Sequence, residues 1–123
     1  MAKKSKSIPE GEVLARLCAS AASDKKAENV MVLDMQGISS FTDYLVICSG
    51  SSEPQLKAIA SAVREQVRDT LNRAPLSEDG NPISQWVILD YSGVIVHMFH
   101  TDKRSYYGLE NLWSDAKRLK LEE

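Results

Sequence analysis

This chain has little of what redox, metal or generic nucleic-acid chemistry requires. Its two cysteines, Cys18 and Cys48, each sit inside an apolar run. A free thiol there behaves as a small buried hydrophobe, so no disulfide framework is expected. Its two histidines, His97 and His100, lie three positions apart in or just after a strand-like run and so face opposite ways, which keeps them from sharing a zinc ion. Positive charge is not in excess: 15 Lys and Arg against 17 Asp and Glu leave a net charge of −2. That removes the cationic field behind generic phosphate binding and disfavours DNA or RNA as the dominant partner. No apolar run has membrane-spanning length. The opening MAKKSKSIPEGE carries lysines with no apolar stretch behind them, unlike a Sec signal or an anchor, and it lacks the arginines of a transit peptide. The expectation is a cytoplasmic protein with no metal, no cofactor and no membrane contact, preceded by a flexible tail over 1–7.

What is present suits one globular domain. A length of 123 residues with 43% hydrophobic and 26% charged residues is enough to bury a core. Ser7-Ile8-Pro9-Glu10 has the spacing of a capping box, and Val13, Leu14, Leu17, Cys18 and Ala21 share one stripe, which predicts a helix from Ile8 to about Ala22. Asn29–Asp34 reads as a strand. Met35–Asp43 reads as a loop with Ile38 and Phe41 turned inward. Tyr44–Ser49 is apolar at nearly every position, as a strand covered on both faces should be, and belongs near the sheet centre.

Ser52 is the expected N-cap of a second helix with Pro54 in its first turn, and Leu56, Ile59, Ala60, Val63, Val67 and Leu71 carry it to about Asn72. Ala74–Asn81 reads as a loop. Trp86–Asp90 and Val94–Phe99 form a hairpin through Tyr91-Ser92-Gly93. A crossover through the second helix is expected to set the second and third strands, Tyr44–Ser49 and Trp86–Asp90, parallel in a mixed sheet. Two short helices should follow Phe99, then a charged C-terminal tail over 118–123. The fold class is therefore α/β: a single domain with a mixed β-sheet flanked by helices.

Candidate chemistry concentrates between Gln85 and Trp113. Asp34, Asp43 and Asp90 end strands, where carboxylates converge on metals or phosphates, but Asp also caps its own local turn, the preferred reading for Asp34 and Asp43. Gly50-Ser51, between a strand and a helix, resembles the Gly-Ser turn of nucleotidyltransferases, whose two metals need paired carboxylates on a following strand. No D-x-D or D-x-E pair follows here. A metal-dependent nucleotidyltransferase-related enzyme is thus the alternative reading, and Cys48 is structural rather than nucleophilic. Trp86, Arg104, Tyr107 and Glu110 have the composition of a protein-binding hot spot. Tyr106, Leu109 and Trp113 share a stripe that suits a core.

Several motifs in order carry a family resemblance. Asp34-x-x-Gly37, Ser39 to Tyr44, Ile47 to Ser52, the Trp86–Asp90 run, Val94–Phe99 with His97 inside it, and Arg104 through Tyr107, Leu109, Glu110, Leu112 and Trp113 resemble the ribosomal silencing factor (RsfS, Iojap-like) family. The likeness runs from about Ile8 to Lys117. One departure is Glu78-Asp79-Gly80, where the family often has Glu-Gly, so that loop is one residue longer. The resemblance implies a nucleotidyltransferase-like topology without enzymatic activity. It also implies binding to the large ribosomal subunit through universal large-subunit ribosomal protein fourteen, obstruction of subunit joining under nutrient limitation, and a homodimer when free. A role in large-subunit biogenesis is an alternative. The expected partner-binding residues are Trp86, His97, Arg104, Tyr107 and Glu110, with Asp90 as an orienter.

Overall fold

The structure, a computed structural model, describes residues 10–81, 83–103 and 116–121. In chain order its elements are α1 (Glu10–Asp24), β1 (Glu28–Asp34), β2 (Tyr44–Gly50), α2 (Glu53–Leu71), β3 (Ser77–Asn81), β4 (Trp86–Asp90), β5 (Val94–His100) and β6 (Lys117–Arg118). The strands make one sheet in the order β3-β4-β5-β2-β1-β6. Only β2 and β5 pair in parallel; every other neighbouring pair is antiparallel. The expected α/β class and mixed sheet are therefore present.

Local chemistry explains α2. The Ser52 side chain accepts the Gln55 N–H, Pro54 sits in the first turn where its missing N–H costs nothing, and Asn72 closes the helix in the left-handed conformation with its N–H donating to the Arg68 carbonyl. Leu56, Ile59, Ala60, Val63 and Val67 then face the sheet together with Leu14, Ala15, Cys18 and Ala22 of α1. Both helices cover the same sheet face, against Val32, Val46, Cys48, Val87, Leu89, Val94, Val96 and Met98. The seven residues of β2 are all buried, consistent with a central strand covered on both sides.

Two polar segments read as loop or tail are in fact strands. β3, with the sequence SEDGN, is exposed at all five positions and is held by backbone pairing with β4 and an exposed Glu78–Arg64 ion pair, so no apolar alternation announces it. Gly80 is required there, because its φ of 73° favours glycine and a Cβ would collide with the Trp86 carbonyl oxygen. Lys117 and Arg118 likewise pair with Asp34 and Leu33, and Leu119 donates its N–H to the Val32 carbonyl, so the expected charged tail is tied to the sheet at its start.

β3 also turns one strand against the expected orientation. The chain leaving α2 enters β3 first, and β4 then runs back, so Trp86–Asp90 is antiparallel to β5 and it is β5 that lies parallel to β2. The loop before β2 departs from expectation as well. Ile38 is 41% and Phe41 58% exposed, because the turn is folded on its own polar groups: Ser39 Oγ accepts the Phe41 N–H, and the Met35 carbonyl accepts the Ile38 and Ser39 N–H groups.

Tyr91 closes the α2 face of the core and is fully buried, and its hydroxyl has no hydrogen-bond partner among the described residues. Burial also pushes the phenol well above its usual pKa. Replacing it by Phe removes an unsatisfied polar atom and little else. Tyr91→Phe is expected to leave the urea midpoint unchanged or raise stability by up to about 1 kcal/mol; a loss of that size would reveal a hydrogen bond to this hydroxyl.

Candidate functional site

The sheet face turned away from α1 and α2 carries the sequence-expected residues that lie within the described chain. Strand register decides this. Trp86 pairs with Phe99, Ile88 with His97 and Asp90 with Ile95 across β4 and β5, and directly opposed residues share a face. Ile47 of β2 lies beside His97 on the other side. On the same face Leu33, Met35, Leu45, Ile47, Phe99 and Ala116 form a second buried cluster, with Met31, Trp86 and Ile95 packed against it half-buried. Trp86 and His97 therefore meet, while Asp90 sits at the far end of the same strand, about 13 Å from Trp86 at the usual rise. Arg104, Tyr107 and Glu110 lie outside the described residues, as do Tyr106, Leu109 and Trp113.

Trp86 and His97 are coupled by chemistry as well as position. The indole Nε1–H donates to His97 Nδ1 at 3.0 Å. The Trp86 ring centroid is 5.8 Å from that of His97 and 5.1 Å from that of Phe99, and His97 stacks nearly parallel to Phe99 at 5.9 Å and 12°. Burial pulls the His97 pKa down to about 4, so the imidazole is neutral at physiological pH. Trp86 is thus half-buried and fixed rather than a freely exposed side chain.

The other candidates take structural roles. Asp90 Oδ1 accepts the Ser92 N–H at 2.8 Å, and Asp34 Oδ1 accepts the Gln36 N–H at 3.0 Å, so both carboxylates cap their own turns. His100 is partly buried rather than solvated, its Nδ1 accepting the Asp102 N–H at 3.1 Å. Cys18 and Cys48 are buried free thiols, and burial, reinforced by Cys48, pushes Cys18 up to about 12. A thiol held protonated in the core is a poor nucleophile. Among the described residues no three His, Cys, Asp or Glu side chains gather as a metal site would require.

The Gly50-Ser51 turn is occupied by the protein itself. Gln55 Oε1 accepts both the Ser51 backbone N–H at 2.7 Å and the Ser51 hydroxyl at 3.0 Å, while its Nε2 donates to the Lys25 and Lys26 carbonyls at 3.2 and 3.0 Å. The Ser51 N–H and hydroxyl, two donors that could meet a phosphate at this helix start, are turned onto a glutamine, and the Gln55 N–H onto Ser52 Oγ. Gln55 passed unnoticed in the sequence because its spacing from Ser51 is ordinary inside a helix. Phe99 was legible only as an apolar strand residue, although it supports both Trp86 and His97.

A mixed sheet with one helix-covered face, and an aromatic cluster set by hydrogen bonding on the other, defines a small α/β domain suited to presenting a rigid surface. The family model "Ribosomal silencing factor during starvation" matches residues 6–123, nearly the whole chain. The chain is 44% identical over 101 residues to the ribosomal silencing factor RsfS of Bacillus subtilis, covering 82% of this chain and 85% of that protein. It is 42% identical over 109 residues to RsfS of Halalkalibacterium halodurans, covering 89% and 92%. A crystal structure of a Bacillus halodurans protein superposes with a TM-score of 0.77 at 38% identity, covering 89% of this chain and 99% of that one. The chain belongs to the ribosomal silencing factor family.

The His97 pKa has a consequence for stability. Because the folded value, about 4, lies below the ordinary 6.5, His97 favours the fold fully above pH 6.5, and that contribution is lost as pH falls from 6.5 through 4. The gap corresponds to on the order of 3 kcal/mol. Denaturant titrations of wild type and His97→Asn across pH 7.5 to 4 should converge as the pH drops, the wild type losing more; parallel curves would mean that His97 titrates normally.

Proposed function

We propose that this protein is a cytoplasmic, non-enzymatic repressor of translation that binds the large ribosomal subunit through universal large-subunit ribosomal protein fourteen. Bound there, it keeps the small subunit from joining by occupying the volume that subunit needs. The observation that carries the reading is the Trp86–His97–Phe99 cluster on the sheet face opposite the helices, in a chain of this family. Trp, Tyr and Arg dominate the energetics of protein interfaces, above all when their rotamers are set before binding. Trp86 meets that condition. Arg104, Tyr107 and Glu110 extend the contact on this reading, and Asp90 orients the hairpin by fixing its turn.

Obstruction requires no chemistry, only a contact stable enough to persist. An interface of standard size takes roughly 800 Å² from each partner. The net charge of −2 suits a basic ribosomal protein, helping encounter and orientation more than final affinity. On the same reading the free protein forms a homodimer. An enzymatic alternative finds less support, since the Ser51 N–H and hydroxyl are already committed to Gln55.

Co-sedimentation with purified large subunits at matched salt tests the proposal. Trp86→Ala combined with Arg104→Glu should weaken binding by on the order of 2 kcal/mol or more, about 30-fold in Kd. Unchanged co-sedimentation of the double variant would contradict the assigned surface. A nucleotide and magnesium titration should show no saturable binding; a saturable response would favour the enzymatic alternative.

A further inference from the structure

We infer that His97 has two jobs at one ring: Nδ1 positions the Trp86 indole, and Nε2–H is offered to a carbonyl oxygen of the docked protein. The inference deepens the docking reading above and rests on it. The first half follows from donor and acceptor chemistry. An indole Nε1–H is a donor only, so the nitrogen 3.0 Å from it must be an unprotonated acceptor. In a neutral imidazole the proton then resides on Nε2. Trp86 therefore fixes the tautomer of His97 while His97 fixes the orientation of Trp86.

The second half follows from what surrounds Nε2. Among the described residues Nε2 has no hydrogen-bond partner, and on this half-buried side chain it is not one of the fully buried atoms left unsatisfied. The ring is stacked on Phe99 and flanked in register by Ile47 and Ile88. These neighbours hold its direction and make its setting apolar. A donor so placed, once water is displaced by a partner, must be met by an acceptor or its desolvation counts against binding. A neutral carbonyl fits that setting better than a carboxylate, whose burial among isoleucines and a phenyl ring costs far more.

Two variants separate the jobs. His97→Asn keeps an acceptor oxygen near the Nδ1 position but lacks the Nε2 donor, whereas His97→Gln places an amide donor near Nε2 and loses the Nδ1 acceptor. In nitrogen-15 spectra of the free wild type at pH 7, His97 should appear as the neutral Nε2–H tautomer. The Trp86 indole N–H resonance should persist in His97→Asn and shift toward its solvent-exposed position in His97→Gln. On purified large subunits His97→Asn should bind about 5- to 10-fold more weakly than wild type despite its ordered indole. An Nδ1–H tautomer in the free protein, or an imidazolium in the complex, overturns the inference whatever the binding strength. Wild-type binding by His97→Asn overturns the donor role and leaves the large-subunit reading intact. Failure of the wild type itself to co-sediment overturns that reading first, and the donor role with it.

Discussion

The parallel pairing of β2 with β5 is the constraint on which the rest of the structure depends. It joins Tyr44–Gly50 to Val94–His100 residue for residue, placing Ile47 beside His97 and Ser49 beside Phe99. A slip of one residue would turn every side chain of β5 to the other face, sending His97 and Phe99 into the helices and Val96 and Met98 out of them. Such a slip is opposed from both sides, since Val94, Val96 and Met98 are fully buried against α1 and α2 while Phe99 is buried in the second cluster. Parallel strands need a long connection, and here it is α2, β3 and β4 together, which is why the hairpin must return before β5 can seat.

The two faces that this pairing separates do different work. One is sealed by helices whose inward stripes are Leu, Ile, Val and Ala. The other carries Trp86, His97 and Phe99 beside buried Leu33, Leu45 and Ile47. A polar bond inside an aromatic cluster adds little to the fold compared with good apolar packing. Its effect is to give Trp86 one orientation. The same economy appears at the Gly50-Ser51 turn. There Gln55 satisfies the two Ser51 donors, which could otherwise meet an anion at the start of α2.

How much of this could be read from the sequence depended on whether side chains or backbone did the holding. Apolar spacing revealed α1 and β2, and spacing with caps revealed α2, down to Ser52 and Asn72 at its ends, while the capping box expected at Ser7 lies outside the described residues. β3 and β6 join the sheet through main-chain pairing rather than apolar packing, and SEDGN and KR contain no alternation to betray them. The unseen β3 then misdirected the orientation of Trp86–Asp90. Ile38 and Phe41 were expected inside because they are apolar; the turn around them is stabilised by its own polar groups and leaves them out. The motif residues Trp86, Asp90 and His97 were picked by type, and two of them meet. That Trp86 donates to His97 needed the diagonal register of β4 and β5, which no single strand encodes.

On the proposed function, this protein silences by standing where the small subunit must dock. Subunit joining, followed by light scattering with purified subunits, tests it most directly. Preincubating the protein with large subunits should reduce joining in proportion to occupancy, and preincubating it with small subunits, followed at once by large subunits, should reduce joining less. Undiminished joining with large subunits that gradient analysis shows to be saturated with the protein would contradict the claim.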